Sequence, residues 1–302
     1  MKWEKKGLIF NALNLSDWQV HTALQPTPLV LNDRIRVFCG FRDCKGISRI
    51  GFVDLSLNDP TRILSYSNRP SLDIGKPGCF DDNGVVPCAV IKRGKEIFLY
   101  YAGYNIGHNV RFSAFSGLAT SNDGGETFVR YQNVPIMERN NDEFLFRAIH
   151  SVIYTEDKWM VWYGAGSEFR SLKEKTVPVY NIKYMESNDG LDFKHSGKVV
   201  LDTLSNEYRV GRPYVYYFNN SYEMFYGYSN EEVKYRLAHA ISLDGKNWEK
   251  TDTFNSFAYN KTDFDSNMSA YPSVVVLNNK KYIFYNGNEY GREGFGLATQ
   301  EY

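Results

Sequence analysis

A hairpin written five times constrains this chain more than any other feature. Each copy contains an aromatic-rich strand closing on a small residue and glycine: RIRVFCG (34–40), EIFLYYAG (96–103), KWMVWYGAG (158–166), YEMFYGYS (222–229) and KYIFYNGN (281–288). A turn carrying Asn, Asp, Gly or Lys precedes each. Before the turn stands another apolar strand: TPLVL, PCAVI, HSVIY, PYVYY or PSVVV. β-branched and aromatic runs broken by turn residues predict strands, and helical periodicity is scarce.

A second element follows three of these hairpins: GLATSNDGGETFVRY (117–131), IKYMESNDGLDFKHS (182–196) and LAHAISLDGKNWEKT (237–251). Its Ser-x-Asp-Gly core supplies a tight turn, with Gly free to take positive φ, and Phe or Trp opens the next strand. Four strands per unit, repeated five times, predict an all-β chain folded as a five-bladed β-propeller. The fifth unit stops at GFGLATQEY, one strand short, while Trp3-Glu4-Lys5 matches Trp248-Glu249-Lys250 at the head of an outer strand. The N-terminal strand is therefore expected to complete the last blade. The first unit lacks Ser-x-Asp-Gly and joins its last strands through LNDPT, which reads as drift within one repeat. No Pro/Gly/Ser-rich linker divides residues 1–302, so a single domain is expected.

Composition narrows the function. Thirty-five basic residues balance 35 acidic ones, leaving no electrostatic footprint for nucleic acid or an anionic membrane. No run of 18 apolar residues occurs, so no membrane insertion is expected. The N-terminal apolar stretch is short and broken by Asn11 and Asn14, with no small-residue cleavage site after it. The four cysteines have neither zinc spacing nor the density of a disulfide framework. A cytoplasmic protein without metal or cofactor is the expectation. Walker, Rossmann, zincin and nucleophile-elbow motifs are all missing from the sequence.

In a propeller the innermost strands of all blades surround a channel, and their starting ends meet at its mouth. Aligning the hairpins on their closing Gly makes Pro26, Pro87, His150, Pro213 and Pro272 equivalent. The preceding segments, QVHTALQ (19–25), CFDDNGVV (79–86), FLFRAI (144–149), NEYRVGR (206–212) and DSNMSAY (265–271), are far more polar than the strands they introduce. They supply His21, Gln25, Asp81, Asp82, Arg147, Glu207, Arg209, Arg212, Asp265 and Tyr271, with His150 beside them. Each has a structural alternative. Asp-Asp-Asn-Gly at 81–84 is strong turn chemistry, Glu207 can pair with Arg209 or Arg212, and His150 and His21 can be satisfied framework histidines. Most Tyr and Phe on the strands are packing between blades. Tyr104, Tyr228, Tyr271 and Tyr290, at strand ends, are candidate platforms for sugar rings, with Asn105, Asn230 and Asn288 as a hydrogen-bonding rim.

With five four-stranded units, S-x-D-G-x-x-[FW] hairpins and polar inner-strand starts, the chain resembles the five-bladed propeller glycosidases. These are the arabinanase and β-xylosidase, invertase and levansucrase, and mannoside phosphorylase families. The resemblance implies a carbohydrate ligand and three carboxylates on inner strands: a base or nucleophile, a proton donor, and a third that orients the sugar. Carried onto this sequence, it makes Asp82 or Asp81 the base or nucleophile, Glu207 the donor and Asp265 the orienting group. His21, Gln25, Tyr104, Arg147, His150, Arg209, Arg212 and Tyr271 become substrate-binding residues, and the arginines suit an acidic or phosphorylated sugar. The family triad is not reproduced in place, because the first unit offers His21, Thr22 and Gln25 where the family has an aspartate. Two readings follow. One is a glycoside hydrolase-like enzyme. The other is a non-hydrolytic propeller that binds a sugar or sugar nucleotide, or transfers a group, in surface-polysaccharide assembly. Opposed carboxylates favour the first; a mouth of Arg, His and amides favours the second.

Overall fold

The computed structural model describes residues 2–108, 112–155, 158–172, 175–254, 257, 259–261 and 263–301. The chain is all-β apart from one short helical segment at Asn288–Gly291. The N-terminal strand β1 (Glu4–Asn11) pairs far from its sequence neighbours. Strands β2 (His21–Val30), β3 (Arg34–Arg42), β4 (Ser48–Ser56) and β5 (Ile63–Tyr66) form a four-stranded sheet in sequential order.

Three further antiparallel meanders follow: β6 (Val85–Arg93), β7 (Glu96–Asn105), β8 (Ser113–Ser121) and β9 (Val129–Arg130); β10 (Phe146–Thr155), β11 (Lys158–Leu172), β12 (Lys175–Ser187) and β13 (Lys198–Leu201); β14 (Glu207–Phe218), β15 (Ser221–Asn230), β16 (Arg236–Ser242) and β17 (Glu249–Thr251). They are continuous as one 12-stranded sheet only through two parallel contacts, Arg147 with Phe115 and Tyr180 with Arg209. The last sheet holds β18 (Ala270–Leu277), β19 (Lys280–Asn286) and β20 (Gly294–Glu301), with β1 as its outer strand. Pairing runs from Glu4 opposite Thr299 to Asn11 opposite Gly294.

Local chemistry explains the turns. Asn219-Asn220 and Asn278-Asn279 have positive φ at both positions, the conformation that two-residue hairpins need and Asn tolerates. In each Ser-x-Asp-Gly turn the Ser hydroxyl accepts a backbone N–H while the Asp carboxylate caps the following amides: Ser187 with Asp189, Ser242 with Asp244, and Ser121 with Asp123. The turn then docks on the preceding sheet. Tyr100 Oη donates to Gly190 O (3.1 Å), and Trp162 Nε1 donates to Gly245 O (2.9 Å). A Cβ on Gly190 would lie 2.8 Å from the Trp159 ring, so glycine is required there by contact as well as by its φ of +73°.

The apolar clusters lie between successive sheets rather than within one. Phe38 and Phe52 pack with Leu99, Phe115 and Phe128. Tyr100 and Leu118 pack with Trp159 and Phe193. Trp162 and Tyr184 pack with Val215 and Met224. Phe225 and Leu237 pack with Trp3, Ile283 and Tyr285. Val37, Phe41 and Val53 of the first sheet pack with Phe284, Phe295 and Leu297 of the last. The first strands are also mutual neighbours: β2 lies against β6 and β18, β10 against β6 and β14, and β14 against β18. Trp3 meets Phe225 edge-on at 5.9 Å, as Trp248 meets Trp162 at 6.4 Å, so the two Trp-Glu-Lys segments occupy like positions. Among the described residues, no helix is long and apolar enough to cross a membrane.

Candidate functional site

Every first strand carries an irregularity at the same place. Register breaks fall at Gln25-Pro26 in β2, Cys88 in β6, His150 in β10, Arg212-Pro213 in β14 and Tyr271-Pro272 in β18. A bulge re-aims a side chain, and here it brings several bulged side chains together. Arg212 donates from Nε to Gln25 Oε1 (2.9 Å), from Nη2 to Thr27 Oγ1 (3.1 Å) and from Nη1 to the His150 carbonyl (3.2 Å). The Cys88 thiol points at the same Gln25 oxygen (3.6 Å). Arg212 is only 4% exposed, and among the described residues no carboxylate pairs with it. Burial draws its pKa down, against Cys88 and the Tyr271, Tyr214 and Tyr104 phenols. His150 is held well below the usual imidazole range, first by burial and then by Arg212. Burial pushes the Cys88 thiol up to about 11, so this cysteine is no thiolate nucleophile.

Backbone strain marks the same region. Among the described residues, 11 that are not glycine have positive φ. Asn14, Asn219, Asn220, Asn278 and Asn279 account for the tolerant residue type. The other six are Thr22, Gln25, Arg212, Tyr271, Glu289 and Tyr290, and all of them surround this one site. Such conformations cost about 1–3 kcal/mol each and persist where the surroundings enforce them.

Beside the bulges lies a pocket of about 280 Å³, lined by His21, Thr22, Arg42, Lys234, Met268, Glu289, Tyr290 and Arg292. His21 Nδ1 shares a 2.6 Å hydrogen bond with Thr22 Oγ1. Burial, then Arg292 and Arg42, hold the His21 pKa below its ordinary value. Burial and then Cys88 push the Tyr104 hydroxyl up to about 12, against the opposing pull of Arg42 and Arg212. Tyr271 stacks on Tyr290 at 6.3 Å, and Tyr235 approaches both rings at 6.1 Å. Tyr180 hydrogen-bonds Tyr235, and the Arg209 guanidinium lies 5.9 Å from each of their rings.

The structure therefore gathers His21, Gln25, Tyr104, His150, Arg209, Arg212 and Tyr271. Sequence reasoning missed Arg42, Lys234, Arg292, Tyr180 and Tyr235, which come from loops, strand ends and, for Tyr180, the middle of β12.

The carboxylates have partners of their own. Asp81, fully buried, accepts from Tyr101 Oη (3.0 Å) and Arg130 Nε (2.8 Å). Asp265, also fully buried, accepts from Tyr285 Oη (3.1 Å) and Lys5 Nζ (2.7 Å). Glu143 accepts from Tyr163 Oη (2.7 Å) and pairs with Lys183 (2.9 Å) and Arg147. In all three the tyrosine follows the acid by 20 residues, a spacing that makes the arrangement one repeated lock. Arg147 is taken up by this lock and by the carbonyls of Glu138, Phe193 and His195. Asp82 accepts from Gly78 N–H in the segment before it and from the Asn105 side-chain amide at the end of β7 (both 2.8 Å). Glu207, 8% exposed, accepts from Leu204 N–H (2.8 Å), and neither Arg209 nor Arg212 pairs with it. The Asn230 carbonyl oxygen accepts from the local Glu232 and Val233 N–H groups, that of Asn288 accepts from Asn267 and Met268 N–H in the segment before β18, and Tyr228 packs against the core between the third and fourth meanders. No group of three or more metal-ligating side chains occurs among the described residues.

No protein-family model matches the chain. Solved structures share its fold. BT0996, solved as an RGII complex, aligns with a TM-score of 0.76 at 18% identity, over 99% of this chain and 91% of the other. A thermostable family-43 glycoside hydrolase aligns with a TM-score of 0.64 at 14% identity, over 94% and 90%. The architecture is thus that of the β-propeller glycosidases. In sequence, the chain is 30% identical over 303 residues, the whole of both proteins, to the uncharacterized protein Rv1502 of Mycobacterium tuberculosis (strain ATCC 25618 / H37Rv). Identity at that level along the entire length means that the chain belongs to the same family as Rv1502, built on the propeller-glycosidase fold.

Proposed function

We propose that the chain is a single-domain, five-bladed β-propeller whose axial mouth binds a carbohydrate for glycan assembly, by binding or group transfer rather than hydrolysis. Ring closure is supported by the contact of β18 with β2, by Ser273 Oγ donating to Pro26 O (2.5 Å), and by Asn286 accepting from Gln25 N–H (2.7 Å). The observation that carries the function is the character of the bulged set. The five first strands deliver Gln25, Cys88, His150, Arg212 and Tyr271. Asp81, Glu143 and Asp265 are buried in tyrosine–cation locks. Arg, His and amide groups match sugar hydroxyls, and the Tyr271–Tyr290 stack offers a face for the ring. A cytoplasmic setting accords with four free thiols, two of them buried.

Hydrolysis is the second reading. It is favoured by the glycoside hydrolases that share the fold and by Asp82 and Glu207, which have no ion pair among the described residues. One experiment separates the two. The protein is titrated calorimetrically with a saccharide panel, while aryl glycoside turnover is followed for wild type, Asp82→Asn and Glu207→Gln. Saccharide binding without turnover is expected. Turnover that drops about 10²–10⁴-fold in both variants would replace binding with acid–base hydrolysis.

A further inference from the structure

The pocket beside the bulged residues is not neutral. Arg42, Lys234 and Arg292 line it against one acid, Glu289. Glu289 reaches Arg292 at only 3.8 Å, with both side chains more than half exposed, so this pairing neutralises little. Arg42 and Lys234 have no ion pair among the described residues, and the Arg42 Nε is buried with no hydrogen-bond partner. A buried N–H on a cation is costly to leave unfilled. The loop bearing Glu289 and Tyr290 is held in left-handed conformations with φ of 52° and 59°, and it brings an aromatic face and Arg292 to one cavity.

We infer that this pocket takes a phosphoryl group carried by the saccharide, with Arg42 and Arg292 on its oxygens, Lys234 as a further charge and Tyr290 against the sugar. The inference rests on the carbohydrate reading above and names its substrate class. Charge decides for phosphate over a uronic acid. A carboxylate brings one negative charge, whereas a phosphate monoester brings about 1.5–2 at pH 7 with three acceptor oxygens, closer to what three cations and one acid require. Guanidinium forks suit the tetrahedral oxygens. At about 280 Å³ the cavity is of the size for one monosaccharide unit and its substituent, at the low end of ligand pockets.

The test is a calorimetric titration of the full chain at fixed ionic strength with hexose 1-phosphates of gluco, galacto and manno configuration. The matching neutral hexoses, hexuronic acids, UDP-hexoses and inorganic phosphate are titrated alongside. At least one phosphorylated sugar is expected to bind tenfold or more tighter than its neutral parent, about 1.4 kcal/mol. The Arg42→Gln/Arg292→Gln double variant, folded with an unchanged melting profile, is expected to erase that preference while retaining weak binding of the neutral sugar. Tighter binding of the UDP-hexose than of the 1-phosphate would support the inference with a diphosphate as the bound form. Equal affinity for charged and neutral sugars, or a uronic acid preferred over phosphate, overturns the phosphoryl assignment and leaves the carbohydrate reading standing. Inorganic phosphate binding alone, with no saccharide of any charge bound, overturns both.

Discussion

Arg212 concentrates the physical argument at the scale of a residue. A buried guanidinium with neutral partners is an expensive way to hold a fold together, because desolvation is not offset by a carboxylate. If the side chain serves a ligand, Arg212→Met is expected to change stability by no more than about 1 kcal/mol while abolishing saccharide binding, the trade-off common at functional sites. Urea denaturation checks this, and a loss of about 3–5 kcal/mol would identify Arg212 as a structural tie instead. His150 makes a second prediction through pH. Its folded pKa lies well below 6.5, so above that pH folded and unfolded states are both neutral and it contributes nothing. As pH falls below 6.5 the unfolded chain binds a proton that the folded chain refuses. Stability then declines by up to about 1.4 kcal/mol per pH unit. His21 acts in the same direction, so the measurement is a comparison: denaturation midpoints from pH 8 to 5 should fall less steeply in His150→Asn than in wild type. Identical slopes would place the imidazole proton elsewhere. His150, Gln25 and Arg212 were legible in the sequence because hairpin alignment fixes the bulge positions. Arg42, Lys234 and Arg292 were not: Lys234 and Arg292 belong to loops that no repeat equates, and Arg42, two residues past the closing Gly, stands where the other hairpins carry Asn, Glu or Ser.

At the scale of elements, the sequence signature of the aspartates has two meanings. A polar residue just before an inner strand has the same sequence signature whether it faces a ligand or a framework tyrosine. Only the partner distinguishes them, and that partner stands 20 residues further on, in the next strand. The regular spacing of Asp81–Tyr101, Glu143–Tyr163 and Asp265–Tyr285 is the signal that would have shown the lock. Each lock ties the loop entering the first strand to the second strand and to a cation on a third: Arg130 in β9, Lys183 in β12 and Lys5 in β1. Tyr163 is the strictest case, since its Oη also accepts from Gly197 N–H (2.7 Å). Tyr163→Phe should therefore cost about 1.5–3 kcal/mol, the range for a buried hydrogen bond to a charged group. Tyr101→Phe and Tyr285→Phe should fall in the same range. Chemical denaturation of the three variants measures this, and costs near zero would mean that the carboxylates find other donors and are free to face a ligand. The Ser-x-Asp-Gly turns were readable for the opposite reason: their hydrogen bonds are local, so three or four residues contain the whole motif.

At the scale of the molecule the N-terminal strand joins three sheets: Trp3 at one end packs the last sheet on the fourth meander, and Phe10 and Ala12 at the other end pack it on the first sheet. Trp3 is 3% exposed, stacked on Phe254 at 5.6 Å with near-parallel rings, and edge-on to Phe225 of the preceding sheet. Lys5 ties the same strand to Asp265, and Phe10 and Ala12 are buried against the first sheet. A strand held this way at both its ends is a structural member of the molecule, unlike the frayed N-terminus usual in globular domains. Trp3→Ala should then cost what a core tryptophan costs, about 3–5 kcal/mol. Removing residues 1–12 should go further, because it strips β1 from β20 and leaves an unpaired sheet edge that seeks another partner strand. Equilibrium urea unfolding of Trp3→Ala, with sedimentation velocity on the truncated protein, tests both consequences. A cost under about 1 kcal/mol together with a monomeric, cooperatively folding truncation would show a strand that merely decorates the last sheet. A core-sized cost with self-association means that the N-terminal strand is the clasp that holds the last sheet against its neighbours on both sides.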